Sequence, residues 1–334
     1  MKLRAQVLSN RLANNLLTQP AETADQVLET VLGVQAQYVN HGLFNLMLRL
    51  NTTDSLHEKL LLGWGQRQTV HYFTQANWLK ITSMLKEEIR WPAEYLTKQD
   101  INLDDSLQTL FDYLKANGPS SRKEISQLYG SDWPHLTNWS ALFLEGSRRG
   151  QIFMTRDSAE STDLLFHWND QPQPLSDEFF LLNQYFKAYG PASKRDAAHF
   201  FGIKQAFFTI DFDKHWDNVA GLYYSELGEF ELPEIQLLGK FDPLLVAYKD
   251  KDVLFQAKQI KQIWRTAGQI SAILLIHGEF AGTWRYQMSG RKLAFYLTTN
   301  QHLLKHQKQA IEHVFYKFSK LMAKEIKTIT YDRI

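Results

Sequence analysis

The sequence predicts an α+β protein, mainly helical, that is divided into several structural units. Two observations lead to this prediction: one helix-turn-helix sequence occurs twice in the middle of the chain, and strand and turn signals dominate after residue 270. The length of 334 residues agrees with it, because a single domain usually holds roughly 100 to 200 residues.

The repeated motif spans residues 113–130 and 185–202, which align without a gap and are identical at seven of 18 positions. In each copy a helix is expected to end at Gly118 or Gly190, because glycine takes the left-handed conformation that stops a helix and the next residue is proline. Ser121 or Ser193 then starts a second helix, since each serine has an acidic residue three positions later and can form a capping box. The motif therefore predicts two helix-turn-helix units.

Gly130 and Gly202 are expected to close these second helices. A third helix and a hairpin are expected after each copy. After the first copy they are the helix Leu136–Arg149 and the strands Gln151–Thr155 and Asp163–Trp168. After the second copy they are the helix Ala206–Val219 and the strands Leu222–Glu226 and Glu229–Leu232, with the turn at Gly228. Three helices followed by a β-hairpin are typical of a winged helix-turn-helix, so the sequence predicts tandem units of this kind.

The two ends of the chain complete the expected organisation. Helices are expected at Leu3–Leu17, Ala24–Leu32, Leu43–Leu50 and Leu56–Leu62, with a strand at Thr69–Phe73; strands are expected at Ile270–Ile276, Glu279–Gln287 and Arg291–Leu297, before a final helix at His302–Lys327. We therefore expect a divergent winged-helix unit at residues 1–100, two further units at 101–170 and 171–234, and a β-rich domain with a terminal helix at 235–334.

The composition excludes several classes of site. The chain has no cysteine, so it forms no disulfide, thiol nucleophile or Cys-based zinc site. Lys and Arg number 37 against 36 Asp and Glu, so any surface that binds nucleic acid must be a local basic patch. No apolar run approaches the ~18 residues of a membrane-spanning helix, and the N-terminus lacks a secretory signal, so a cytoplasmic protein is expected.

Gln35 and Gln37 are the candidate catalytic residues. They follow Gly33 in the connection between two predicted helices, where Asn40 is expected to cap the next helix. Residues i and i+2 lie about 200° apart on a regular helix, so both amides can serve one site only where the helix is broken. An amide oxygen can orient a water and face a developing positive charge, which suits cleavage of a glycosidic bond to a cationic base. In the alternative, both amides bond loop backbone groups.

Basic and polar residues at three kinds of position are candidates for DNA binding. Arg67, Thr69 and His71 alternate along a predicted strand and its approach, so they are expected to share one face; Arg67 can contact phosphate and His71 can bond a nucleotide or water, although a structural histidine is the alternative. Three basic pairs lie where winged helices contact the DNA backbone, yet they are equally compatible with exposed helix ends. They are Arg122 and Lys123, Arg148 and Arg149, and Lys194 and Arg195.

No metal or cofactor is expected. His302 and His306 have the i, i+4 spacing of metal ligands, but no carboxylate pair or thiol accompanies them in the sequence. Gly63-Trp64-Gly65 lacks the third glycine of a dinucleotide-binding loop.

Five sequence elements, in this order, resemble the winged-helix DNA-binding family that includes the AlkZ-type bacterial DNA glycosylases. They are residues 31–37, the Arg67-Thr69-His71 element, the repeated Gly-Pro-x-Ser, Phe241-Asp242-Pro243 followed by Tyr248, Lys249 and Asp250, and Gly282-Thr283-Trp284-Arg285. The resemblance runs almost from end to end. Two departures are the near-zero net charge, which bears on DNA affinity, and Lys249, where the family often has arginine.

The resemblance implies tandem winged helices and a β-rich C-terminal region that form a concave DNA-binding surface, with Arg285 among the DNA-binding residues. A Gln-x-Gln motif is catalytic in the family's glycosylases, and it carries over to Gln35 and Gln37. The implied activity is that of a monofunctional DNA-repair glycosylase, a hydrolase that acts as a monomer on N3- or N7-alkylated purines or crosslinks in double-stranded DNA. Because alkylation makes the base cationic and weakens its glycosidic bond, modest electrostatic help is enough.

Two other functions are compatible with the same modules. A non-catalytic DNA-binding regulator or structural factor would bind DNA without releasing a base. If the modules instead mediate protein contacts, no DNA complex would form even at low salt, where electrostatic binding is strongest.

Overall fold

A computed structural model describes residues 2–57, 60–86, 91–156 and 163–333. The fold is α+β, as predicted. Its N-terminal elements are α1 (Lys2–Asn14), α2 (Ala24–Thr30), β1 (Val34–Gln35), α3 (Val39–Met47), β2 (Leu61–Trp64), β3 (Val70–Phe73), α4 (Gln75–Leu85) and α5 (Trp91–Thr97). The Gln35 segment is thus an extended strand between two helices.

The middle of the chain contains both copies of the repeated motif. The first copy lies within α6 (Leu103–Asn117), β4 (Ser120–Ser121), α7 (Arg122–Ser126), α8 (Trp133–Thr137), α9 (Ala141–Arg148), β5 (Ile152–Arg156) and β6 (Leu164–Trp168). The second lies within α10 (Glu178–Tyr189), α11 (Lys194–Phe201), α12 (Phe212–His215), β7 (Asp217–Val219) and β8 (Leu222–Tyr224). Each copy therefore leads from a long helix through a sharp turn into a shorter one.

The C-terminal region is rich in β-structure. Its elements are β9 (Ile235–Leu238), α13 (Pro243–Val246), α14 (Ala257–Ile263), β10 (Ala272–Ile276), β11 (Glu279–Ser289), β12 (Lys292–Thr299), α15 (Lys305–Leu321) and β13 (Glu325–Arg333). The three predicted strands of this region are confirmed at β10, β11 and β12. In the described parts of the chain, no helix is both long and apolar enough to cross a membrane.

Two large sheets organise the chain. A six-stranded antiparallel sheet has the order β1-β3-β2-β5-β6-β4, and Leu62 of β2 pairs with Met154 of β5. This sheet combines strands from both sides of residue 100, where a domain boundary is predicted. A five-stranded sheet has the order β13-β12-β11-β10-β9, in which β13 runs parallel to β12 and the other neighbours are antiparallel. The division into four units remains a prediction.

The capping boxes predicted in both repeats are confirmed. Ser121 caps α7 and Ser193 caps α11, each by accepting from the backbone N–H three residues later while the acidic side chain there accepts from the serine N–H. Gly202 closes α11 with φ of 75°. The left-handed stop predicted at Gly190 is wrong, because its φ is −66° and a cis peptide bond to Pro191 makes the turn. In the first copy α7 already ends at Ser126, before Gly130.

Five other predictions of local structure are wrong. Part of the segment 56–62 is a strand, because Leu61 and Leu62 pair with β3. The third helix of the first repeat is broken into α8 and α9, and within 206–219 the short α12 is the only α-helix. The later hairpin turns at Ala220 and Gly221, not at Gly228, because β7 pairs with β8. The last helix ends at Leu321, and the residues after it form β13 beside β12.

A buried ion pair joins the N-terminal part to the C-terminal region. Arg49, just after α3, donates through both terminal nitrogens to the two carboxylate oxygens of Asp242, at 2.8 Å each, and both side chains are 0% exposed. The same guanidinium donates to the Asn45 carbonyl and to Asn15 Oδ1. Asp242 also caps α13 by accepting from the Leu244 N–H. The charges are thus desolvated but bidentately paired, which fixes the Phe241-Asp242-Pro243 turn against α3.

We expect the Asp242→Asn variant to lose about 3–5 kcal/mol of its free energy of unfolding, because it leaves the buried Arg49 charge unpaired. Urea unfolding measures this loss. Lys214→Gln is the control, since its ion pair with Asp211 lies on the surface and such pairs contribute about 0–1 kcal/mol. Equal losses in the two variants would contradict the structural role of the buried pair.

Candidate functional site

Gln35 and Gln37 line one pocket of about 460 Å³. Gln35 lies in β1, where it pairs with His71 of β3, and it is 5% exposed. Gln37 follows β1 in a bend and is exposed. The connection between α2 and α3 is not helical, as expected. This break in the helix is what lets both amides face one site. Asn40 lies inside α3 and does not cap it, so that prediction is wrong.

Arg67 fixes the orientation of the Gln35 amide. It lies in a short 3-10 turn after β2, and its φ is 56°. We expected Arg67 itself to be extended as the chain approaches β3, so that prediction is wrong. Its Nη2 donates to Gln35 Oε1 at 3.0 Å, and its Nη1 donates to the Phe200 carbonyl at 2.6 Å. Because a guanidinium only donates, the amide oxygen of Gln35 must face Arg67 and the amide nitrogen must point away from it.

His71 completes this network from the strand β3. Its Nδ1 lies 2.8 Å from the Thr69 carbonyl and its Nε2 lies 3.3 Å from Arg67 Nη2. The carbonyl requires a proton on Nδ1, so Nε2 is the acceptor for Arg67. Burial, with the Arg67 charge next to it, holds the pKa of His71 well below its usual range. The ring is 1% exposed and neutral.

Thr69 and Arg67 line the pocket together with the two glutamines, whereas His71 stands behind them. The Thr69 hydroxyl donates to the Gln66 carbonyl at 3.3 Å. The structure therefore brings together four of the five residues singled out in the first 100 residues, and it connects the fifth to them through Arg67.

The rest of the pocket comes from segments that the sequence did not single out as a site. Phe241, which belongs to the resemblance, is one lining residue. The others on this side are His199, Leu245, Val246, Lys251, Trp264, Arg265, Ala267, Gly268, Gln269 and Ile270. They come from α11, α13 and two loops far apart in the sequence. No local pattern connects them, and only the tertiary fold makes them neighbours.

His199 is neutral near pH 7. Burial, with contributions from Arg67, Lys249 and Lys251, lowers its pKa to about 4. It is half-buried on α11, the second helix of the second repeat. A neutral imidazole in the pocket can accept or donate one hydrogen bond without adding charge.

Tyr38 links the two sides of the pocket mouth. Its side chain is 41% exposed and its ring stacks on Phe241, with centroids 5.6 Å apart. Its hydroxyl donates to Gln269 Oε1 at 3.1 Å. The residue after Gln37 is thereby held against the loop that carries Arg265 and Gln269.

The other predicted DNA-binding residues lie outside this pocket. Arg122 and Lys123 are exposed at the start of α7. Lys194 starts α11 with its ammonium 4.8 Å from the Phe212 ring centroid, while the neighbouring Arg195 pairs with Asp250 at 3.1 Å. The starts of the two capped helices therefore carry basic residues in both repeats.

Arg148 and Arg149 at the end of α9 both pair with the buried Glu145, and Arg149 also reaches Asp104 at 2.6 Å. Arg285 is exposed on β11, with its guanidinium 4.1 Å from the Tyr296 ring centroid. The first two are thus engaged by carboxylates, whereas Arg285 points along an exposed sheet face.

His306 and His302 lie at the start of the last helix, away from the glutamines. His306 contacts Glu234 at 2.7 Å. Within the described ranges, no three His, Cys, Asp or Glu side chains come together as a metal site would require.

Comparison with known proteins decides the family. The sequence model of the family described as DNA glycosylase AlkZ-like matches residues 28–321. The chain belongs to the AlkZ-like family of DNA glycosylases. Its fold is similar to that of the Streptomyces sahachiroi DNA glycosylase AlkZ, with a TM-score of 0.75 and 18% identity over 97% of this chain and 98% of that one. No curated protein matches the sequence significantly. The resemblance predicted from the five sequence elements is confirmed.

Membership of the AlkZ-like family makes DNA the substrate class to consider for the glutamine pocket. The family match includes Gln35, Gln37, Arg67 and both repeats. At 18% identity the structural similarity shows the fold alone, so the roles of the pocket residues must be argued from their own chemistry.

The repeat supplies a matched pair of glycine variants. A Cβ at Gly202 would lie 2.9 Å from the Arg67 backbone, whereas nothing lies within 4 Å of one at Gly130, and both have positive φ. We expect Gly130→Ala to cost about 1–2 kcal/mol for the left-handed backbone alone. Gly202→Ala should cost clearly more, because it also displaces Arg67. Chemical denaturation measures the free energy of unfolding of both variants. Equal losses would mean that the Arg67 backbone can shift away from residue 202 without cost, which would contradict this prediction.

We expect stability to decrease as the pH falls below about 6.5, the usual histidine pKa. Burial, with Lys240 nearby, lowers the pKa of His41 to about 3, and His71 and His199 are lowered too. Each folded pKa lies below the unfolded value, so protons bind the unfolded chain preferentially and acid favours unfolding.

Unfolding free energies measured between about pH 5 and 7.5 test this dependence. His41→Gln should make the decrease shallower, and His302→Gln, at an exposed position, should leave it unchanged. A stability that is constant over this range would contradict neutral buried histidines.

Proposed function

We propose that the protein is a monofunctional DNA glycosylase that hydrolyses the N-glycosidic bond of cationic N3- or N7-alkylated purines, or of crosslinks, in double-stranded DNA. The observation that carries this proposal is that Gln35 and Gln37 open into one pocket while Arg67 fixes the Gln35 amide. Family membership supports DNA as the substrate. The cationic leaving group is supported by the two amides, because a base that is already cationic needs no acid to leave, and no carboxylic acid is among the described residues that line the pocket.

The proposed reaction requires only modest catalytic assistance from the protein, because the base is already a good leaving group. The alkylated purine leaves as a neutral base with the electron pair of the glycosidic bond, and a water oxygen bonds to the anomeric carbon. Gln37 at the mouth and the remaining lone pair of Gln35 Oε1 hold that water, since an amide oxygen accepts two hydrogen bonds. The water's proton passes to solvent or to neutral His199. Fixed dipoles of this kind stabilise a developing charge without reorienting during the reaction.

We further propose that DNA is bound by tandem winged-helix units at residues 1–100, 101–170 and 171–234, with the C-terminal domain at 235–334 completing a concave surface. The basic residues at the helix starts, the exposed Arg122 and Lys123 in one repeat and the half-buried Lys194 in the other, support backbone contacts there. Arg285 supplies another exposed cation. Contacts of this kind hold the duplex in register and carry no information about the lesion.

Incubation with a duplex containing N7-methylguanine should release the base and leave abasic sites, which alkali cleaves. We expect the double variant Gln35→Ala, Gln37→Ala to reduce the release rate by a factor on the order of 100, as removal of a preorganised polar group typically does. Its affinity for the duplex should change little, because the amides are uncharged. Cleavage products resolved on a denaturing gel give the rate.

Gln301→Ala is the matched control, since this glutamine is exposed and lies in the loop before α15. Undiminished release by the double variant would exclude Gln35 and Gln37. Tight binding without release in the parent protein would favour the second candidate, a non-catalytic DNA-binding regulator or structural factor. One observation favours that candidate: no carboxylate is among the described residues that line the pocket, so no strong base activates the water.

A further inference from the structure

The glutamine pocket is positively charged. Three basic residues line it, namely Arg67, Lys251 and Arg265, and among the described residues no Asp or Glu does. His199 is neutral. The chain as a whole is nearly balanced, with 37 basic and 36 acidic residues, so this local excess of cations is not a reflection of the overall composition.

The Arg67 charge lacks a counter-charge in the described part of the chain. Its hydrogen-bond partners are the Phe200 carbonyl, the Gln35 amide oxygen and His71, all neutral. Burial lowers its pKa to about 10. Desolvating a guanidinium without an anion costs free energy. An anionic ligand in the pocket would offset this cost.

Lys251 and Arg265 lie on the wall that the C-terminal region contributes. The Lys251 ammonium is 4.6 Å from the centroid of the Trp264 ring, which also lines the pocket. Within the residues that the structure describes, neither Lys251 nor Arg265 has a carboxylate within ion-pair distance. By contrast, carboxylates engage three of the basic residues predicted to bind DNA, which are Arg148, Arg149 and Arg195.

The backbone next to Lys251 is fixed from the second repeat. Asp196, 0% exposed, accepts from the N–H groups of Lys249 at 2.7 Å and Asp250 at 3.0 Å. Asp250 is in turn bonded by Ser193 and Arg195. The acidic residue that caps α11 therefore also positions the start of the segment that carries Lys251.

A cationic purine is a poor occupant for such a wall. Like charges repel, and the repulsion is stronger at the lower effective dielectric of a partly buried site than in water. A DNA phosphodiester carries the opposite charge, so the same basic residues attract it. It would also supply the negative charge that the pocket lacks beside a sugar that becomes cationic.

We infer that Lys251 and Arg265 form a seat for a backbone phosphodiester flanking the damaged nucleotide, across the pocket from Gln35 and Gln37. The identity of the nucleotide as damaged rests on the proposed function; the phosphate seat itself rests on the charges, the missing carboxylates and the fixed Lys251 segment. The seat brings the anomeric carbon between an anion on one side and two amides on the other.

The test uses the full chain and a duplex that holds a tetrahydrofuran abasic analogue, so binding needs no base release. In one duplex a single methylphosphonate, which is uncharged, replaces the phosphate next to the analogue; in another it replaces one several base pairs away. We expect the flanking replacement to weaken binding about tenfold and the distant one to have little effect. Fluorescence anisotropy measures the dissociation constants at a fixed salt concentration.

The double variant Lys251→Gln, Arg265→Gln should bind the unmodified duplex about tenfold or more weakly and lose its response to the flanking methylphosphonate. Its logarithmic salt slope should fall by about 0.9, because one phosphate contact is lost. The matched control is Lys258→Gln, Lys261→Gln, which removes the same two charges from exposed positions on the neighbouring α14. This control should keep the methylphosphonate response.

The seat is overturned if the flanking methylphosphonate has no effect on the parent protein, or if the double variant responds to it as the parent does. These outcomes are separate from failure of the glycosylase proposal. A protein that releases no base yet responds to the flanking linkage keeps the phosphate seat and loses only the catalytic proposal.

Discussion

The buried ion pair between Arg49 and Asp242 is the interaction on which the site depends. One wall of the pocket comes from the glutamine strand and the turn at Arg67, and the other comes from Phe241 and the C-terminal loops. Asp242 directly follows Phe241, and Arg49 follows the helix that starts after Gln37. Since a desolvated charge left without its partner is costly, this pair ties the two walls of the pocket together.

The two repeats share a capping box but use it differently. In the first copy Glu124 is exposed and closes a local turn. In the second, Asp196 is buried and binds the amides that precede Lys251, and Gly202 lies against Arg67. A duplicated local motif has thus acquired long-range contacts in one copy, and those contacts lie beside the pocket.

Local signals in the sequence predicted the elements whose causes are local. The serine caps and the three C-terminal strands β10, β11 and β12 are marked by neighbouring residues, and the structure agrees with these predictions. The pairing of Gln35 with His71 and the parallel strand Glu325–Arg333 depend on distant partners, so periodicity could not reveal them. The same holds for the second wall of the pocket, because no local sequence pattern marks its residues and only the tertiary fold brings them together. The Gln-x-Gln pair lies, as expected, in a non-helical connection between two helices, and only the short strand formed by Val34 and Gln35 was not predicted.

The orientation of the Gln35 amide is already fixed in the free protein by a series of hydrogen bonds. Arg67 donates to the amide oxygen of Gln35, and it also bonds the Phe200 carbonyl and the His71 ring. The Thr69 carbonyl in turn bonds His71. The entropy of immobilising these side chains is therefore lost during folding and does not weaken the encounter with DNA. Under the proposed function, this preorganised centre would gain speed and accept only leaving groups whose geometry already suits it.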